Sequence, residues 1–395
     1  MSCPALAARA LGLALLLGAC RTAPESAPAK AAEVHGQRGT LLLIGGGLDN
    51  DNRPIYSRLL QIAARSGTPR VAIITAATGD QEQEAIDKRE ALRVYAPDLE
   101  IHVLRREAPT EESLNVIEHA TALLFTGGDQ QRIAERYRPA GEETPELRAM
   151  RELLLRGGVI AGCSAGTAMM GEIMFHSGSS AHALGVDPEP RDASADSARS
   201  APVFGPQLGQ GLGFLPGVIT DSHFFERDRV GRLVAALEVS GVPIGLGVGE
   251  DAAVEVDLET LTLRSVGVSD SLLVDARELE RDGLNRRNLS AWLLSEGQRL
   301  VLREYLARAP HLWPWPMMPM TVHSTLQEIP VVEPGQNRQL ASWRLFARAS
   351  DPSAGVLILS LPGWMICASA DRSGGVRFSL FVGSASSTDV PSSTP

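Results

Sequence analysis

A chain of 395 residues, 44% of them hydrophobic, can bury a sizeable core, which excludes disorder throughout. Its formal charge of -10 excludes non-specific nucleic-acid binding, because that needs basic surface to release counterions from phosphates. Four cysteines (Cys3, Cys20, Cys163 and Cys367) form no C-x-x-C pair, and no HExxH or paired His and Asp set is present, so neither a zinc knuckle, a redox pair nor a catalytic metal is expected.

Residues 1–19 carry Arg9 and then an apolar run over residues 10–19, too short to span a bilayer but suited to a signal peptide. Leu17, Gly18, Ala19 and Cys20 look like a bacterial lipobox, in which the Cys20 thiol receives a diacylglycerol. Residues 20–38 then read as a lipidated cysteine and a Pro-, Ala- and Ser-rich tether. The expectation is an exported protein anchored to a bacterial membrane, periplasmic or on the outer surface, or else cleaved and secreted free.

From Thr40 onward, short β-rich runs alternate with helical patterns. Strands are expected at residues 41–44, 70–75, 100–104, 122–126, 159–162 and 244–248, nearly all apolar and most leading through a turn into a helix. That order predicts an α/β fold with an open, mostly parallel sheet and helices on both faces. In such sheets ligands sit beyond the carboxyl ends of the strands. The glycine-rich segments 45–47, 127–128 and 162–166 all fall at that edge, so three loops should converge on one crevice. Gly45 to Gly47 lack the G-x-G-x-x-G spacing of a dinucleotide site, so close backbone approach is their simpler role and no cofactor is expected.

Residues 186–199 read as an exposed loop. After Glu278 the alternation weakens, which divides the chain into a catalytic domain over residues 39–278 and a poorly defined C-terminal extension over 279–395. Within the extension, residues 310–319 hold Trp313, Trp315 and four prolines, residues 339–382 have short apolar runs suited to a small β unit, and the last dozen residues read as disordered.

The chemistry begins at residues 159–170, an apolar strand, then Gly162, Cys163, Ser164, Ala165 and Gly166, then a helix-forming run. A serine in G-x-S-x-G on a strand-to-helix turn is lifted above the sheet, and the glycines are needed because side chains there would crowd the turn. The Ala165 N–H, at the positive end of the helix, can help bind an oxyanion. Cys163 is the rival nucleophile, but its position points it away from the cleft and a structural thiol is expected.

A serine hydroxyl needs a base, and of the eight histidines His223 alone follows an apolar strand-like run at residues 217–220. Arg227, Arg229 and Arg232 follow it closely, as an electropositive wall suited to carboxylates. Glu250 and Asp251 come directly after another strand; either could accept the histidine's second N–H, the other capping a turn.

Five ordered segments now resemble the cyanophycinases, serine peptidases whose family also holds aspartyl dipeptidases and has a class I glutamine-amidotransferase-like fold. They are Ile44 to Gly47, Phe125 to Gln130, Gly162 to Gly166, Asp221 to Leu233, and Gly245 to Asp251, within residues 40–275. The resemblance places the catalytic serine, histidine and glutamate on Ser164, His223 and Glu250, and substrate contacts on Gln130, Asp221, Arg227, Arg229 and Arg232. It implies hydrolysis of cyanophycin, or a related Asp-containing peptide, at the polyaspartate backbone, releasing β-Asp-Arg dipeptides. The oxyanion would then be held by Gly127, Gly128 and Ala165. One departure is Ser222, where cyanophycinases carry glutamine. The oligomeric state stays open, a homodimer being one candidate. Three other readings are an aspartyl dipeptidase of the same family, an α/β-hydrolase esterase in the chain order Ser164, Asp275, His311, and a binding module that only holds acidic peptides.

Overall fold

The structure, a computed structural model, describes residues 39–107, 110–186, 204–302, 306, 327–328, 341–354, 356–361, 363–371 and 374–382. The expected signal peptide, Cys20 and the tether lie outside the described residues, as do all but Val186 of the expected 186–199 loop, residues 310–319 with His311, and the last thirteen residues.

The first half alternates as its pattern requires. It runs β1 (Thr40–Ile44), α1 (Arg53–Ala63), β2 (Arg70–Ile74), α2 (Gln81–Tyr95), β3 (Glu100–Leu104), α3 (Glu111–His119), β4 (Ala122–Phe125), α4 (Gln130–Tyr137), α5 (Pro145–Leu155), β5 (Val159–Cys163) and the four-residue α6 (Ala165–Ala168). Helices α1 to α5 each start at a residue whose side chain accepts a first-turn N–H: Asn52, Asp80, Thr110, Asp129 and Thr144. Such a cap stabilises a helix by about 1 kcal/mol.

The strands are apolar on both faces because both are covered. Leu42, Ile44, Val71, Ile73, Leu124 and Val159 pack under α1 and α2 with Ile55, Tyr56, Leu59 and Leu92. The alternate residues Leu41, Leu43, Ala72, Ile74, Leu123, Phe125 and Ile160 pack on the other side with Ile117, Ile133, Leu147, Met150 and Leu153 of α3 to α5.

The second half runs β6 (Ile173–Ser177), α7 (Ser180–Ala183), β7 (Gln207–Gln210), β8 (Val218–Asp221), α8 (Val230–Ser240), β9 (Ile244–Val248), β10 (Ala252–Asp257), β11 (Thr262–Gly267), β12 (Ser271–Asp275), β13 (Glu280–Asp282), β14 (Asn285–Leu294) and β15 (Arg299–Val301). Then come β16 (Gln327–Glu328), α9 (Ala341–Ala349), β17 (Leu357–Leu361), β18 (Trp364–Ala370) and β19 (Val376–Val382). Where the sequence suggests one open sheet, the described residues form two large mixed sheets and a β6–β7 pair. The first has the order β15-β11-β10-β1-β5-β4-β2-β3, the second β16-β17-β18-β19-β14-β12-β9-β8 with β13 beside β14.

The pairings among β1, β5, β4, β2 and β3 are parallel, and β10, β11 and β15 add on antiparallel. Strand β9 is not part of that parallel run: it pairs parallel with β8 and antiparallel with β12 in the second sheet. Both edges of β1 are already taken, by β10 and β5, and β9 instead pairs with β8 and β12. The sheets share one core, because Ile244, Leu246 and Val248 of β9 lie in the same cluster as Leu41 and Leu43 of β1. The second sheet continues past residue 278, with β14 between β12 and β19, and its outer face is covered by α8 and α9.

Candidate active site

Strand β5 ends at Cys163, and the next residue, Ser164, takes φ 53° and ψ −106°. A serine in that region is strained, and the fold holds it there to present the hydroxyl. The flanking glycines are sterically required: a Cβ on Gly162 would lie 2.1 Å from the Gly166 carbonyl oxygen, and one on Gly166 would lie 2.8 Å from Phe125 Cβ. The Ser164 N–H donates to the Ile44 carbonyl at 3.0 Å, and the Thr167 hydroxyl lies 2.7 and 2.6 Å from the carbonyl oxygens of Ile44 and Gly162. Thr167 therefore ties the elbow to β1, a role its place in a helix-forming run did not reveal.

Beyond β8 the chain turns through Ser222 to His223, whose N–H donates to the Gly45 carbonyl at 2.6 Å. The Ser164 Oγ lies 2.7 Å from His223 Nε2, and His223 Nδ1 lies 2.6 Å from Glu250 Oε1. A carboxylate at Nδ1 keeps the proton there, so Nε2 accepts the serine hydroxyl. Burial lowers the His223 pKa from its ordinary value; Glu250 opposes this, while Arg227 and Arg229 lower it further.

The triglycine loop closes over this pair. A Cβ on Gly46, at φ +103°, would sit 2.4 Å from His223 Nε2, and one on Gly47 would sit 3.0 Å from the Glu250 carboxyl carbon. Gly127 lies against the Ser164 side chain, its own imagined Cβ 3.4 Å from Ser164 Cβ, so the three glycine loops do meet at one place. Gly128 follows with φ +136° and packs on the Ala77 backbone, and Ala165 opens α6 beside the nucleophile position.

Of the two adjacent acids, Glu250 reaches the imidazole, and Asp251 instead accepts from the Asp49 N–H at 3.0 Å and Asn52 Nδ2 at 3.1 Å. Cys163 faces the opposite side, in the cluster under α1, where burial raises its thiol pKa to about 11. Asp275 lies opposite Ile244 at the start of β9, four residues or about 13 Å from the Glu250 end, and chelates Arg277.

The expected arginine wall divides. Asp221 is fully buried, and its carboxylate accepts from Arg232 Nε at 2.7 Å, Arg232 Nη2 at 2.5 Å and Arg229 Nη1 at 3.1 Å. Burial alone would raise its pKa, but Arg232 and Arg229 hold it below the ordinary value. Arg232, 5% exposed, also donates to the Gly178 carbonyl and stacks over Phe175. Arg229 donates to the Ser222 carbonyl at 2.6 Å, and burial brings its pKa down to about 10. At Asp221 and Arg232, an internal ion pair thus stands where the sequence suggested substrate contacts. Arg227 is exposed, and among the described residues its side chain makes no ion pair. Gln130 is half-buried and donates to the carbonyls of Phe175 and His176 at 2.5 and 3.0 Å.

With an elbow hydroxyl resting on an imidazole at the strand ends of an α/β fold, the molecule falls in the class of serine hydrolases. The profile of Peptidase family S51 matches residues 41–264. Cyanophycinases from Synechococcus elongatus and Trichormus variabilis are each 29% identical, over 68% and 69% of this chain and 81% and 90% of their own lengths. The cyanophycinase from Geminocystis herdmanii is 27% identical over 66% of this chain and 93% of its own. A solved peptidase from an acI-B1 actinobacterium is 20% identical, covering 67% of this chain and 98% of its own, with a TM-score of 0.47. The chain belongs to Peptidase family S51, and it is a serine-type peptidase.

Proposed function

We propose that this peptidase hydrolyses the polyaspartate backbone of cyanophycin, or of a closely related Asp-containing peptide, through Ser164, His223 and Glu250. The line of contacts at 2.7 and 2.6 Å carries the reading, because it supplies a base for the hydroxyl and a carboxylate to steady the imidazolium. Ser164 attacks the peptide carbonyl while His223 takes its proton. Donors at Ala165 and the Gly127 to Gly128 loop hold the oxyanion, His223 then protonates the leaving amine, and water releases the acyl-enzyme. Names of relatives support the substrate: they are cyanophycinases. Arg227 is the exposed guanidinium beside the base, and a branch carboxylate of the polymer is its natural partner. The lipobox-like Cys20 supports an exported, membrane-anchored enzyme that degrades polymer released by other cells.

The test is incubation of purified protein and its Ser164→Ala variant with cyanophycin and with isoaspartyl dipeptides, followed by mass analysis. β-Asp-Arg from polymer, lost about ten-thousand-fold in the variant, is the expected result. Cleavage of dipeptides alone would move the substrate to small isopeptides, a change that Ser222 makes worth measuring. A fluorophosphonate that fails to label Ser164 would overturn the mechanism.

A further inference from the structure

Helix α9 lies beyond the stretch that the family profile matches, yet its first turn reaches two loops of the site. Ser342, fully buried, donates its hydroxyl to Asp228 Oδ1 at 3.1 Å. Asp228 belongs to the turn that follows His223, held at φ 46° with its N–H on the Phe225 carbonyl. Trp343 donates its indole N–H to Asp270 Oδ2 at 2.5 Å. The carbonyl of that same Asp270 accepts the Gly249 N–H at 3.1 Å, one residue before Glu250. Leu345, Phe346 and Ala349 lie in the same cluster as Phe224 and Phe225, the two residues after His223.

One helical turn is therefore bonded at once to the loop of the base and to the β11–β12 loop, whose Asp270 carbonyl in turn holds the loop of the acid at Gly249. A peripheral helix could satisfy first-turn polar groups with water. Here a buried hydroxyl and an indole N–H are instead aimed at carboxylates on two separate loops, contacts that are costly to leave unmade. The imidazole to carboxylate distance depends on both loops, so a shift of either one disturbs it.

We infer that Ser342 and Trp343 are positioning residues that hold the His223 and Glu250 loops in register, which makes the C-terminal segment a working part of the peptidase site. The inference rests on the roles proposed above for Ser164, His223 and Glu250.

The experiment compares Trp343→Phe, which keeps a ring and loses the donor, with Asp270→Ala and Asp270→Asn, the last of which keeps an acceptor. Ile366→Val in β18 thins the same cluster without touching either bond, and serves as the stability control. Each full-length protein is measured for kcat and KM on cyanophycin, for the rate of fluorophosphonate labelling of Ser164, and for Tm. Trp343→Phe and Asp270→Ala should lower kcat and labelling rate about 3- to 10-fold, the worth of one hydrogen bond, with KM within about twofold. Asp270→Asn should recover most of the rate, and Ile366→Val should lower Tm alone. If Trp343→Phe does not fold, the two Asp270 variants decide by the same comparison. An active wild type whose variants keep full kcat, or lose it only in step with Tm, overturns the inference. A wild type that neither labels nor hydrolyses any peptide refutes the proposed function itself, and this inference with it.

Discussion

Among the non-glycine residues with positive φ are Ser164, His223, Asp228 and Asp251, all in the loops around the candidate nucleophile. Such conformations cost roughly 1–3 kcal/mol each and persist only where surrounding packing dictates them. The charge around His223 is arranged with similar economy. Its lowered pKa means that the imidazole stays neutral, and so able to accept a proton, to a pH below the ordinary histidine value. Activity should therefore persist on the acidic side of that value. Arg227 is one cause of the lowering, so Arg227→Gln should raise the His223 pKa and move the acidic limb of kcat/KM to higher pH. The shift should shrink as salt is added, because Arg227 is exposed. A pH–rate profile with the limb unmoved, or moved downward, would contradict this account.

At the scale of elements, the site depends on how closely backbone and ring approach. Gly46→Ala places a methyl group within 2.4 Å of the imidazole, so the ring must leave its position against Ser164. A displacement near 1 Å costs about a hundredfold in rate, and the expected outcome is that loss in kcat with a folded protein by circular dichroism. Strand β9 shows a related device, since Gly247 sits under the Phe224 ring, where a Cβ would come within 2.3 Å. The alternation of glycine with Ile244, Leu246 and Val248 was legible as a strand. Which face the glycines serve was not, because that depends on what packs against them.

The Asp221 ion pair joins the end of β8 to α8. Asp221→Asn leaves Arg232 buried beside a neutral partner and should destabilise the fold by about 3–5 kcal/mol, read from urea unfolding. The folded-state pKa of Asp221 is depressed, so the pair contributes stability above the unfolded value of about 3.9 and loses it as pH falls through the folded value. The gap between wild type and variant should accordingly narrow below about pH 4. Sequence reading grouped Asp221, Arg229 and Arg232 with Arg227 because all four share one motif. Their spacing could not reveal that the side chain at the strand's last position turns inward and draws two of the arginines with it.

Across the whole molecule, the outer face of the second sheet is covered jointly. Phe224, Phe225, Leu233 and Val234 share one cluster with Leu289, Phe346 and Phe378. A chain ending at residue 278 would expose that face, and should bind ANS and unfold without a sharp transition. Cooperative unfolding of the truncated chain, with Ser164 labelled at the full-length rate, would show that the catalytic half stands alone.

Local pattern was enough to identify the strands through β5, the serine elbow, His223 as its base, and an acid at Glu250 or Asp251. These rest on short continuous apolar runs and on glycines at fixed offsets from a reactive residue, which are properties of neighbouring positions. Tertiary structure alone decided that β9 joins a second sheet, that Glu250 rather than Asp251 meets the imidazole, and that α9 braces both loops. Each of those outcomes turns on contacts between residues far apart in the chain, such as Trp343 with Asp270, and no local preference encodes which distant partner a side chain will find.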